Sequence, residues 1–220
     1  MGQHDWYRNK EWSKDIELAF RARLSRSRDL YNKTQYLRIQ ASYLLSSSDP
    51  TIQNVGLGMM NEVLSDYPDI DDVICNKFDA LVNVGDFFYR REDFETAYIN
   101  YKKAIGYDKK KTVVQDHAYH GFIKSAVFSK HEEAYPAGLK YLEDARDTNL
   151  LFLSEIYDHY LASAMLYAAI GRHETAKECA SVSLRVLNEE SPLHMKDKPV
   201  ATEREYMFLT KLGNTKLKTL

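Results

Sequence analysis

The stretch FDALVNVGDFFYRREDFETAYINYKKAIG, residues 78–106, decides the fold. Its first half sets Phe78, Leu81, Val84, Gly85 and Phe88 three and four residues apart, the spacing of one helical face. Arg91-Glu92-Asp93 reads as a turn, and Phe94, Ala97, Tyr98, Tyr101 and Ala104 form the inward face of a second helix. Two amphipathic helices joined by so short a polar turn make an antiparallel hairpin. Small residues where the helices cross let the axes approach, and a large one a turn away fills the gap beside them.

That small–large–small pattern recurs along the chain. Its copies are Gly56-Met60-Val63, Ala97-Tyr101-Ala104, Gly138-Leu142-Ala145 and Ala176-Ala180-Ser183. Self-similarity at a near-constant period implies stacked helix pairs. The periodicity and caps predict helices over 13–30, 33–46, 49–67, 72–90, 94–106, 112–130, 135–146, 151–170, 173–188 and 200–217. Ser13 and Asp49, the latter before Pro50, are the expected N-caps of two of them. Gly106 and Lys109-Lys110-Lys111 read as a loop, as does Glu189–Lys198 around Ser191-Pro192. No strand-like alternation competes, so the fold class is all-α. The expected organisation is an N-terminal capping segment (1–31), helical repeats (32–190), then a loop and C-terminal capping helix (191–220). The last helix carries Tyr206, Leu209 and Leu212.

The bulk properties bound the function. A net charge of −2 gives no global field for nucleic acid, which is not expected as a partner. The charge is nonetheless uneven: residues 1–48 hold nine Lys/Arg against five Asp/Glu, and residues 49–108 hold twelve acids against five bases. Two distant cysteines, Cys75 and Cys179, form neither a disulfide framework nor a zinc spacing, and they are expected buried in helices. No apolar run is long enough to span a membrane and the N-terminus lacks an apolar signal core, so a cytoplasmic location is expected.

Residues 78–109 resemble a tetratricopeptide repeat. Leu81, Val84, Gly85 and Phe88 follow its first-helix pattern, and Ala97, Tyr101 and Ala104 its second, with Lys109 where a proline usually closes the repeat. Residues 34–68, 119–150 and 157–188 follow it through Leu37, Ala41, Leu44, Gly56, Met60 and Pro68; through Phe122, Ala126, Gly138, Leu142 and Ala145; and through Tyr160, Ala164, Tyr167, Gly171 and Ala176. The N-terminal W-Y-R-N-K-E-W segment is similar to the start of uncharacterised bacterial proteins of this type. The resemblance implies a right-handed α-α superhelix of about four helix pairs with extra terminal helices. The copies are spaced more widely than the family's period of about 34 residues, which implies longer turns and a distorted superhelix.

In such stacks the first helix of each pair lines the concave face. The resemblance therefore implies a protein- or peptide-binding groove lined by Arg38 with Gln35, by Asp79, Asn83, Asp86, Tyr89 and Arg90, by His120, Lys124, Lys130 and His131, and by Asp158. Farther on, Leu161, Met165 and Ala168 either give the groove an apolar end or pack under the C-terminal helix, which would then be lid as well as cap. The expected function is a non-enzymatic binding scaffold. A bacterial immunity or antitoxin-type protein is one alternative, and a helical-scaffold enzyme acting on RNA or peptide, built on His117, His120 and Asp86, is another.

Other chemistry is thin. Gly56-x-Gly58 lacks the third glycine and preceding strand of a dinucleotide loop, and helix packing accounts for it. His117 and His120, three apart beside Asp116 and followed by His131, lack a third metal ligand fixed by spacing. No cofactor or metal is expected. Arg21, Arg23, Arg26, Arg28, Lys33 and Arg38 form a basic run that is either a solvated surface or a patch for an acidic partner. The acidic stretch Glu62, Asp66, Asp69, Asp71 and Asp72 could meet that patch on a second copy, making a homodimer.

Overall fold

The computed structural model describes residues 5–111, 116–144, 152–188 and 199–214. Among these, every regular element is helical. The α-helices are α1 (Lys14–Leu24), α2 (Leu30–Leu45), α3 (Pro50–Ser65), α4 (Asp71–Tyr89), α5 (Phe94–Lys111), α6 (Asp116–Ser129), α7 (Tyr135–Asp144), α8 (Leu153–Ala169), α9 (His173–Asn188) and α10 (Glu203–Asn214). The all-α expectation holds. Ala145 and the loop around Ser191-Pro192 lie outside the described residues.

Two boundaries differ from the sequence expectation. The first helix stops at Leu24, because Asp29 begins a new one: its side chain accepts the Tyr31 N–H at 3.0 Å as an N-cap. The lysine run at 109–111 is helical backbone, and α5 continues through it and Gly106. Elsewhere the caps fall where the residues put them. Ser13 accepts from the Ile16 N–H (3.3 Å), Asp49 from the Thr51 N–H (2.8 Å), and Asp93 opens α5 by accepting from the Thr96 N–H (3.1 Å).

Contacts divide the chain into two compact units, Met1–Phe88 with Ile99–Val113, and Tyr89–Tyr98 with Val114–Leu220. In the first, a core of Leu37, Ala41, Leu44, Met59, Met60 and Val63 closes the α2/α3 hairpin. Trp6, Tyr7, Phe20 and Tyr36 stack beside it with ring centroids 4.7–5.4 Å apart. The buried Gln40 side chain holds this end by bonding both the N–H and the C=O of Asn9, at 3.0 and 2.8 Å. In the second, Leu161, Ala164, Met165, Ala180 and Val186 form the α8/α9 core.

The hairpins are closed by glycine at the crossings. A Cβ on Gly85 would lie 2.8 Å from the Tyr101 ring, and that ring is pinned because its hydroxyl donates to Asp86 at 2.5 Å. Gly56 sits slightly less tightly on Ala41 and Leu45, at 3.0–3.1 Å, and Gly138 on Ile123 and Leu166 at 3.0–3.1 Å. Glu92, Lys130 and Gly171, about 40 residues apart, carry the left-handed backbone that follows the first helix of three hairpins (φ 60°, 61° and 81°). After α6 and α8 the next amide reaches back five residues, His131 N–H to Ala126 C=O at 2.9 Å and Arg172 N–H to Tyr167 C=O at 2.8 Å.

Candidate functional site

Each unit contains a side-chain bridge between the first helices of two successive hairpins. In the first unit, Arg38 of α2 meets Asp79 of α4 at 3.3 Å. Its Nε donates to the Asn76 side-chain Oδ1 at 3.2 Å, and the buried Asn76 side-chain amide donates to the Thr34 hydroxyl and to the Tyr31 C=O. Both side chains keep contact with water, at 20% and 29% exposure. Asn83 turns its amide to the Asp79 C=O within α4, and Asp86 takes the Tyr101 hydroxyl.

In the second unit, Lys124 of α6 meets Asp158 of α8 at 2.6 Å. Here the ammonium is covered, while Asp158 keeps 20% exposure. Glu205 of α10 brings a second carboxylate to 3.2 Å from the Lys124 ammonium and accepts the Tyr89 hydroxyl at 2.9 Å. The ammonium also lies 5.1 Å from the centre of the Tyr89 ring. Lys124 and Glu205 side chains are 9% and 3% exposed. Burial alone would drive the lysine neutral; the two carboxylates outweigh it and hold its pKa above the ordinary value. Burial would likewise raise the Asp158 pKa, but Lys124, with help from His117 at 3.7 Å, holds it well below the carboxylate range. Lys124 is therefore a fixed cation, unsuited to act as a nucleophile or base.

His120 is buried one turn before Lys124, its Nε2 3.4 Å from His159 Nδ1. Burial pushes its pKa down to about 3, so it is neutral at physiological pH. The Tyr157 hydroxyl is buried beside Glu205 and makes no hydrogen bond of standard geometry among the described residues. Burial, then the Glu205 charge, raises its pKa. Arg90 and Lys130 are exposed and sit just beyond the C-terminal ends of α4 and α6, at the hairpin corners. His131 stacks on Tyr98 (centroids 4.0 Å apart) and bonds Glu95 and Glu133; burial opposes its charge, but these bonds prevail and its pKa is raised.

No family model matches the chain, and no curated protein or solved structure is significantly similar to it.

The sequence-predicted residues thus separate into Arg38, Asp79, Asn83 and Asp86 in one unit and Tyr89, His120, Lys124 and Asp158 together in the other. The structure also corrects details. Leu161 and Met165 are fully buried and pack with Leu209 of α10, the second of the two placements expected for them, so they form no open apolar surface. Tyr206 points outward at 53% exposure, because the inward stripe of α10 is Glu205, Leu209 and Leu212. Glu205 escaped the sequence reading. Its signal was Thr202-x-x-Glu205, a capping box in which the Thr202 N–H donates to Glu205 at 2.8 Å and the Glu205 N–H to Thr202 at 3.2 Å. Cys75 is exposed rather than buried, on the outer side of α4, and Cys179 is half-buried. Arg21 of the basic run pairs within the chain, with Glu62 at 2.7 Å. Among the described residues, no three His, Cys, Asp or Glu side chains converge on a metal-binding position, and no helix is long and apolar enough to cross a membrane.

Proposed function

We propose that this chain is a non-enzymatic scaffold that binds a protein or peptide along the face made by the first helices of its hairpins, in a tetratricopeptide-like right-handed superhelix. One observation carries the reading: the Arg38–Asp79 and Lys124–Asp158 pairs each tie the first helix of one hairpin to the first helix of the next. Hairpins stacked in parallel register place these helices side by side, and a stack of that kind offers one continuous face to a guest. The hairpin closures at Gly56, Gly85 and Gly138 and the recurring left-handed corners support the same architecture. The state of the ionisable groups favours binding over catalysis. Lys124 is locked as a cation, His120 is neutral, and Asp86 is engaged by Tyr101.

The guest is recognised by the pattern of charge across the open bridge and by the exposed corner residues Arg90 and Lys130, with buried contacts supplying area. The test is capture of partners by the purified chain and by two variants. Arg38→Asp with Asp79→Arg keeps the internal ion pair while inverting the pattern shown to a guest; Arg90→Glu reverses an exposed corner charge. Each should weaken capture at least tenfold. Equal capture by all three proteins would sink the groove assignment. Small-angle scattering tests the architecture: a compact globule of this length has a radius of gyration of about 17 Å, and an open superhelix must exceed it.

A further inference from the structure

We propose that the place occupied by α10 is a recognition seat for an amphipathic helix carrying a glutamate in its first turn and a leucine one turn later, and that α10 fills this seat as an internal stand-in for a partner helix. The inference rests on the scaffold reading, because the seat is the second unit's version of the bridge between first helices.

Three observations carry it. First, the contact made by α10 has the chemistry of ligand recognition. Glu205 places a carboxylate against one ammonium and one phenol, Lys124 at 3.2 Å and Tyr89 at 2.9 Å, and is itself 3% exposed. Leu209, one turn on, is fully buried among Tyr157, Leu161 and Met165. An acid anchor and an apolar anchor four residues apart form the short stripe by which a helix is read in a groove. Phe208 and Leu212 are half-buried against the same core, and Glu203, Arg204, Tyr206, Met207 and Lys211 are exposed.

Second, the seat can open without stranding a charge. Lys124 holds Asp158 at 2.6 Å, a shorter contact than the one to Glu205, and this pair belongs wholly to α6 and α8. When α10 leaves, Lys124 keeps a counter-ion and Tyr89 gains water.

Third, α10 fits the seat incompletely. The Tyr157 hydroxyl faces the seat, is buried, and makes no hydrogen bond of standard geometry among the described residues. A helix bringing one further acceptor beside its glutamate would satisfy it. A partner helix of this chemistry therefore competes against a tethered rival whose effective concentration is of millimolar order, and its apparent affinity is lowered by the fraction of chains with α10 in place.

The test uses the full-length chain and a fluorescent peptide with the sequence of residues 199–214. In anisotropy titrations the peptide should bind the wild-type chain weakly. It should bind at least tenfold more tightly to a chain carrying Glu205→Gln with Leu209→Ala, which weakens the internal helix but leaves the seat intact. Peptides carrying Glu205→Gln or Leu209→Ala should lose at least tenfold. Far-UV circular dichroism and a melting curve establish that the variant chain is folded, and a second variant, Leu209→Ala alone, serves if the double variant is not. A folded variant that binds the peptide no better than wild type overturns the proposal, as does a variant peptide that binds as well as the parent. Light scattering that finds wild-type dimers dissolved to monomers by the double variant would give the seat to α10 of a second copy, and would overturn it too. The Arg38/Asp79 inversion separates the two readings: partner capture that still depends on it, with no peptide binding at the seat, leaves the scaffold standing and removes the seat.

Discussion

The Arg38–Asp79 and Lys124–Asp158 bridges join the same kinds of helix but have opposite surroundings. In the first both side chains are partly exposed, at 20% and 29%, and neutral Asn76 supports the arginine. In the second it is the ammonium that is enclosed, 9% exposed beneath a second carboxylate and the Tyr89 ring, while Asp158 keeps 20% exposure. The difference teaches that solvent access, more than the identity of the charged pair, sets what a bridge does. An ion pair in contact with water contributes less to stability than a buried one would lose on breaking. A buried one becomes indispensable, because removing either charge leaves the other without water or counter-ion.

Removing the cation from each bridge should expose the contrast most strongly. Lys124→Met leaves Asp158 and Glu205 facing one another without their counter-ion and should cost about 3–5 kcal/mol, whereas Arg38→Met should cost about 1 kcal/mol or less. Urea melts of the two variants check this, and similar midpoints would erase the distinction.

Acid should separate the units next. His120 has a folded pKa of about 3, below its unfolded value of about 6.5. Between these values the unfolded chain holds the extra proton, so the contribution of His120 is complete above pH 6.5 and is lost as pH falls toward 3. The slope is about 1.4 kcal/mol per pH unit at most, hence about 2 kcal/mol by pH 5. Asp158, whose folded pKa is depressed, adds loss in the same direction only at still lower pH. Hydrogen exchange at pH 7 and pH 5 should show amides of α6 and α8 losing protection before those of α2 and α4. The reverse order would contradict the contrast.

Two glycines in the first unit supply a smaller, signed test. Gly85→Ala drives a methyl into a Tyr101 ring that Asp86 prevents from moving, and should lower stability by about 1 kcal/mol or more. Gly58→Ala meets nothing within 4 Å on the exposed side of α3 and should raise it by about 0.5–1 kcal/mol. Thermal melts that move both variants the same way would show that the crossing at Gly85 is looser than its geometry.

What could be read from the sequence followed locality. Ser13, Asp49 and the Gly85/Tyr101 hairpin were legible because capping and i, i+4 packing depend on neighbours in the chain. Asp29 falls inside the helix expected over 13–30 although it caps the next one, since helical spacing alone does not distinguish an aspartate on a helix from one that starts a helix. Lys124 and Asp158 could each be placed on a first-helix face, but their pairing requires two hairpins to stack in register. Glu205 was hidden for a further reason. Helical spacing from Leu209 and Leu212 makes position 205 inward, yet an acid there looks wrong until a buried lysine is known to wait for it.

The two oxygens of Glu205 are divided between jobs. Oε2 takes the Thr202 amide that starts α10, while Oε1 reaches across to Lys124 and Tyr89. Coiling of this segment and its adhesion to the rest of the protein therefore share a single functional group. Loosening that group unwinds the segment as it sets it free, which makes a half-detached, still-wound intermediate the least favoured of the three conditions and gives the change the abruptness of a catch rather than the give of a hinge.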